Sequence, residues 1–233
     1  ELTYSFSLYD TLQLFSKDHY FVAYPSAGSK RTDEEIYKIA SDVVLQLQSY
    51  GVISTDFNYD ITNYTTQLQL AIVSEGKTDS DISAEQSTFS VTDEENAKEN
   101  LSGKSSSDIT TAVVWSCSIY FDSGYWIDIW IDDKSGKAVS FSMFIEQTQL
   151  LTSEGNQKIL DAFADCTAKF AEHYYELPAI ALEHSFVHSF NSLFEKEKNA
   201  SIIEAYYTIQ LKDENGILIQ IPLKIRPECT ILN

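Results

Sequence analysis

Three apolar runs decide the fold: Ile109-Thr-Thr-Ala-Val-Val-Trp-Ser-Cys-Ser-Ile-Tyr-Phe121, Tyr125-Trp-Ile-Asp-Ile-Trp-Ile131 and Ala138-Val-Ser-Phe-Ser-Met-Phe-Ile145. They are rich in Val, Ile, Trp, Tyr and Phe, whose branched or flat side chains suit a pleated surface. Asp122-Ser-Gly124 and Asp132-Asp-Lys-Ser-Gly136 separate them with turn-forming composition, so the unit reads as an antiparallel meander. Period-two alternation puts Tyr125, Ile127, Ile129 and Ile131 on one face of the middle strand. The other face carries Trp126, Asp128, Trp130 and Asp132, flat aromatic platforms beside carboxylates. That combination suits stacking on a sugar ring or holding a peptide. The competing expectation is a helix layer that covers both indoles.

Upstream of the meander, Leu2, Tyr4, Phe6 and Leu8 alternate as in a strand, and Tyr20-Phe-Val-Ala-Tyr24 before Pro25 is a second strand candidate. Thr32-Asp-Glu-Glu35 is a capping box, in which hydroxyl and carboxylate satisfy the orphan amides of a helix start. Ile36, Ile39, Ala40, Val43, Leu47 and Tyr50 follow along one helical face, and Gly51 is placed to stop it. Gln67 to Val73 alternates like a strand. Residues 74–108 are acidic and polar, with few large apolar side chains, and read as a long insertion with a short helix at 93–101.

Downstream, Thr152 or Ser153 caps a second helix with Ile159, Leu160, Phe163, Thr167, Phe170 and Tyr174 inward. The spacing of Leu182, Phe186, Phe190, Leu193 and Phe194 predicts a third helix over 179–197, although Phe186-Val-His-Ser-Phe190 also fits a strand. The chain closes with a hairpin, Ile203–Leu211 and Ile217–Ile225, whose Pro222 implies an edge position or a bulge. A helix followed by an antiparallel unit thus occurs twice. The expected class is α+β, antiparallel sheets packed against helices in two related helix-plus-meander modules. Residues 1–146 would form the first, with the insertion at 74–108, and 147–233 the second, the alternative being one single domain.

Composition narrows the function. The 233 residues hold 35 Asp and Glu against 16 Lys and Arg, a formal charge of -19. Such a surface repels phosphate backbones and anionic lipid headgroups, which argues against nucleic acid and direct membrane binding. The excess is local: residues 1–31 balance, 32–146 carry -14, 147–194 carry -4 and 195–233 carry -1. No apolar run approaches the roughly 18–20 residues of a membrane span. Ser and Thr make up about a fifth of the chain and Arg occurs only at Arg31 and Arg226, a balance that suits an extracytoplasmic protein. With Glu1 first and Met143 the single Met, the expectation is an exported bacterial protein whose leader, lipoprotein anchor or membrane anchor has been removed upstream.

Cys117, Cys166 and Cys229 are widely spaced and odd in number, allowing at most one intrachain disulfide in three possible pairings. No C-x-x-C pair exists, which excludes zinc ribbons and thioredoxin-type chemistry, and three small buried side chains is the plainer reading. Three sequons, at Asn63, Asn100 and Asn199, are no more than this much Ser and Thr produces.

Val113 to Phe121, Gly124-Tyr-Trp-Ile-Asp-Ile-Trp-Ile-Asp132 and Lys134-Ser-Gly-Lys-Ala-Val139 together resemble the hairpin of PepSY-like domains. Those are extracytoplasmic bacterial modules in which a helix precedes strands ending in an acidic, Gly-containing turn. The resemblance spans 109–145 and departs in its preceding helix, here short and highly charged. It implies an exported binding or regulatory role toward peptidases or the cell envelope, and carries no catalytic residues.

No nucleotide loop or nucleophile elbow is present. His184 and His188 are four apart, so on a helix they share a face and could chelate a metal, with His173, Glu172 or Glu176 completing the set. A solvated polar face is the plainer reading. Asp128 and Asp132 lie about 13 Å apart along a strand, too far for a glycosidase pair. The turn at 132–136 lacks the alternate oxygens of a calcium loop. The expected function is therefore non-catalytic binding of a peptide, glycan or envelope protein through Trp126, Asp128, Trp130 and Asp132, with no cofactor. The alternatives are a hydrolase using Asp128, a metal-dependent enzyme using His184 and His188, and a structural assembly subunit.

Overall fold

Thr32 caps its helix as the sequence dictates: its hydroxyl accepts from the amide of Glu35 at 3.3 Å, and the Glu35 carboxylate accepts from the amide of Thr32 at 2.9 Å. The computed structural model describes residues 8–15, 19–24, 29–74, 109–144, 156–189, 201–226 and 230–232. In chain order these form α1 (Leu8–Phe15), β1 (His19–Ala23), α2 (Asp33–Ser49), β2 (Tyr59–Ser74), β3 (Ile109–Phe121), β4 (Trp126–Asp132) and β5 (Ala138–Phe144). They continue as α3 (Asn156–Tyr175), β6 (Ala179–Ser189), β7 (Ser201–Lys212), β8 (Leu218–Ile225) and β9 (Thr230–Leu232).

The meander read from the sequence is present as β3–β5, with Trp115 opposite Ile131 and Ile129 opposite Phe141. All nine strands form one antiparallel sheet in the order β1-β2-β3-β4-β5-β9-β8-β7-β6. This overturns the α+β expectation of helices packed on separate sheets: the fold is mainly β, with three helices among the described residues. Two features make the difference. β5 and β9, the last strands of the two helix-plus-meander runs, pair with each other (Phe141 with Leu232, Met143 with Thr230), so edges that separate sheets would leave bare are closed. The segment expected as a third helix is β6 over 179–189, held against β7 from Leu182–Ile209 to Phe186–Ala205.

α2 and α3 cover one face. Ile36, Ala40, Val43, Val44 and Leu47 of α2 are buried, and Tyr37 stacks on Tyr64 of β2 at 4.1 Å. Beneath them, Ile127, Ile129 and Ile131 are fully buried with Cys117, Ile119 and Met143. α3 anchors through Phe170 against Phe141 at 6.3 Å. Tyr174 and Tyr175 clasp Ala138 at the β4–β5 register shift: its amide donates to Tyr174 Oη at 2.8 Å and its carbonyl accepts from Tyr175 Oη at 3.0 Å. A bulge leaves such backbone groups without ladder partners, and the two phenols supply them. The expected inner face of this helix holds for Leu160, Thr167, Phe170 and Tyr174, but Ile159 is 41% exposed, and Ala164 and Ala171 are buried instead.

The short α1 lies on the opposite face, where Phe15 meets Phe21 of β1 at 5.9 Å. Pro222 sits in an interior strand, and the three-residue β9 pairs only with Leu223, Lys224 and Ile225. The expected edge position or bulge at Pro222 is thus not found: β8 lies between β9 and β7, and Pro222 pairs in regular register with Thr208. The strand expected at Leu2–Leu8 falls outside the described residues except for Leu8, which begins α1; the insertion beyond Ser74, the 93–101 helix and Cys229 also lie outside them.

Candidate functional site

Alternation along β4 sends Trp126, Asp128 and Trp130 to the face opposite α2 and α3, and all three are half-buried. Each indole is backed by a phenyl ring from another strand. Trp126 lies parallel to Phe144, its cross-strand partner in β5, at 4.6 Å and 15°. Trp130 lies parallel to Phe21 at 5.7 Å and 12°. The register explains how a residue of β1 reaches one of β4. Phe21 pairs with Ala71 and Ala71 with Ala112, while Ser116, two pairs along the same face of β3, sits opposite Trp130. Ala71, Ala112 and Val114 lie under the gap and are buried, and their small size lets the two rings meet above them. The indole Nε1 of Trp130 is buried there with no hydrogen-bond partner.

Between the indoles, about 6.5 Å from each along the strand, is Asp128. Ser118 donates to its carboxylate at 2.5 Å. Burial pushes the Asp128 carboxyl above the usual carboxylate range, against the lowering effect of hydrogen bonds from Ser118 and Trp126. Ser118 and Ser142, the flanking residues of β3 and β5, are short, so no long side chain from either neighbour stands over the carboxyl. Behind it in the core, burial first and the Asp128 charge second push the Cys117 thiol up to about 12.

Asp132 lies opposite Val114 at the end of the same strand face. It is buried, and its Oδ2 accepts from the amide of Ser135 at 2.7 Å, closing its own turn. The next residue, Asp133, is fully buried and ties the turn to the segment before α2. Its carboxylate accepts from the Lys30 amide at 2.9 Å and the Trp115 indole at 2.9 Å, and its carbonyl accepts from Arg31 Nε at 3.1 Å. Gly136 (φ +70) lies under the Arg31 guanidinium, where a Cβ would come within 2.4 Å of it.

His184 is an exposed residue of β6, its ring 4.9 Å from Phe186 and 5.9 Å from Tyr207. His188 belongs to the same strand, opposite Ile202, and its side chain lies outside the described residues. Four residues span about 13 Å in a strand against about 6 Å in a helix, so the helical adjacency expected of the pair is absent. Glu172, His173 and Glu176, named as completing ligands, line an open depression of about 630 Å³ with Tyr50 and Lys169 at the end of α3. Among the described residues no group of three or more His, Cys, Asp or Glu side chains is placed to hold a metal ion.

Sequence alternation finds Trp126, Asp128 and Trp130 together; it misses Phe21, Phe144 and Ser118. Counting back from the 132–136 turn would have set Met143 beside Trp126, and the register shift at Trp130/Ile131 puts Phe144 there instead; Phe21 comes from β1, three strands away, for which the sequence carries no local signal. No family model, curated protein or solved structure matches this chain.

Proposed function

We propose that this chain is a non-catalytic binding domain that takes a peptide through a basic side chain, on the sheet face around Trp126, Asp128 and Trp130. The observation that carries the reading is the half-buried Asp128 carboxylate set between two indoles, each stiffened by a stacked phenyl ring. An ammonium or guanidinium group gains from an aromatic face and from a partly desolvated carboxylate together. The hydrogen-bond partners of Asp128 are a serine hydroxyl and an indole. The charge of the described residues agrees, since those of 32–146 carry -7, a field that attracts cationic segments.

The same proposal keeps the domain outside the cytoplasm, on the grounds of its Ser and Thr content and near-absence of Arg. Fractionation of cells making the full-length protein tests that part, and recovery in the cytosol removes it.

Binding is tested by titrating an end-blocked Gly-Lys-Gly peptide, its Nε-acetyl counterpart and a neutral oligosaccharide while following tryptophan fluorescence. Saturation by the lysine peptide alone supports the proposal. Saturation by the oligosaccharide alone transfers the face to a glycan, and equal response to both peptides removes the role of the cation.

A further inference from the structure

A nine-stranded open sheet has two edges, and here they differ. β1 is five residues long and is followed by Tyr24 and Pro25, a short edge that offers little to a pairing strand. β6 is eleven residues long, Ala179-Ile-Ala-Leu-Glu-His-Ser-Phe-Val-His-Ser189. Natural edge strands are guarded by lysines, prolines or shortness, yet β6 has no proline or lysine, and Glu183 is its sole formally charged residue. Ile180 and Val187 are 50% and 41% exposed. Register shifts at Ala179/Ala181 and Val187/His188 leave 181–187 as a regular run, and among the described residues no strand pairs with its outer side.

We infer that the outer edge of β6 pairs antiparallel with β6 of a second copy of this chain, joining two sheets about a two-fold axis at His184. Two observations select a second copy as occupant. The first is self-complementarity: the axis at His184 sets Leu182 opposite Phe186, Ala181 opposite Val187 and Glu183 opposite Ser185, on both sides, with no like charges facing. A shift of the axis by one residue sets Glu183 against Val187 instead. The second is the distribution of charge. Among the described residues, those of 32–146, which include β2–β5, carry -7, whereas those of 147–233 carry -3. The β6 end of the sheet therefore repels a second copy of an acidic chain less than the β2–β5 half does. Four strands separate β6 from the Trp126–Trp130 strand, so this inference stands independently of the peptide-binding proposal.

Sedimentation velocity over a micromolar concentration series on the full chain tests it. The wild-type chain is expected to pass from monomer to dimer. Ser185→Glu puts a carboxylate opposite Glu183 of the second copy at two places and is expected to weaken the dimer about tenfold. Ser185→Lys at the same exposed position is expected to keep or tighten it, and the double exchange Glu183→Lys with Ser185→Glu to restore it. A wild-type chain that stays monomeric throughout overturns the inference. So does a dimer indifferent to Ser185→Glu, or one that Ser185→Lys weakens as much as Ser185→Glu does.

Discussion

The indole Nε1 of Trp115 donates a 2.9 Å hydrogen bond to the fully buried carboxylate of Asp133. This contact joins the second residue pair of the β3–β4 ladder to the turn that closes β4 onto β5, and through Lys30 and Arg31 to the start of α2. Removing the acceptor strands the buried indole of Trp115 and the part-buried amide of Lys30. Asp133→Ala is expected to cost about 2–4 kcal/mol, and Trp115→Phe, which deletes one donor, about 1–2 kcal/mol, in urea unfolding. Equal stability of Asp133→Ala and wild type would show that the contact is incidental.

Asp128 affects stability in the opposite sense to a salt-bridged carboxylate. Its folded-state titration is raised by burial, so the folded state binds the proton more tightly than the unfolded one. Ionisation then costs stability: the loss appears as pH rises from the unfolded-state value through the raised folded one, and is reversed as pH falls. Asp128→Asn, which cannot ionise, is expected to raise Tm relative to wild type at neutral pH and to lose that advantage below the carboxylate range. A Tm difference independent of pH would contradict the assigned cause.

The two described cysteines should differ in reactivity. Cys117 is buried with its thiol pushed up to about 12, whereas Cys166 on α3 is half-buried. In a Cys229→Ser background, iodoacetamide at pH 8 is expected to modify Cys166 first and to reach Cys117 only on unfolding, because the thiolate is the nucleophile. Peptide mass mapping reads the order, and early loss of Cys117 would mean that the core opens more readily than its burial implies.

At the end of α3, Glu176 holds φ +58 in the left-handed region, with its amide donating to the His173 carbonyl at 3.3 Å. A side chain is strained in that conformation, where glycine is not. Glu176→Gly is expected to stabilise the fold by about 0.5–1 kcal/mol, measured by the denaturation midpoint. A destabilised variant would show that Glu176 contributes interactions that outweigh the strain.

Much of this architecture was legible because local signals agreed. In β4 the strict alternation of Ile127, Ile129 and Ile131 with Trp126, Asp128 and Trp130 fixes both the core face and the candidate site, and the Thr32–Glu35 box fixes the start of α2. The misreading of 179–197 has a simple origin: a spacing of four, as in Leu182 to Phe186 or His184 to His188, is close to a helical turn and is also an even number of strand residues. What separates the two is the hairpin partner β7, more than a dozen residues away, and no local pattern reports it. The pairing of β5 with β9 is longer-ranged still, and it alone merges the two runs of strands into one sheet. The same alternation puts Asp132 at the end of the indole face, opposite Val114, and there its carboxylate accepts from the Ser135 amide of the turn.

The central claim, that Asp128 between Trp126 and Trp130 holds a cationic side chain, is tested most directly by comparing the Kd of wild type and Asp128→Asn for the end-blocked Gly-Lys-Gly peptide at neutral pH. The account predicts a loss of about tenfold or more in the variant, corresponding to about 1.4 kcal/mol, with the Nε-acetyl peptide binding neither protein. Unchanged affinity in Asp128→Asn would contradict it.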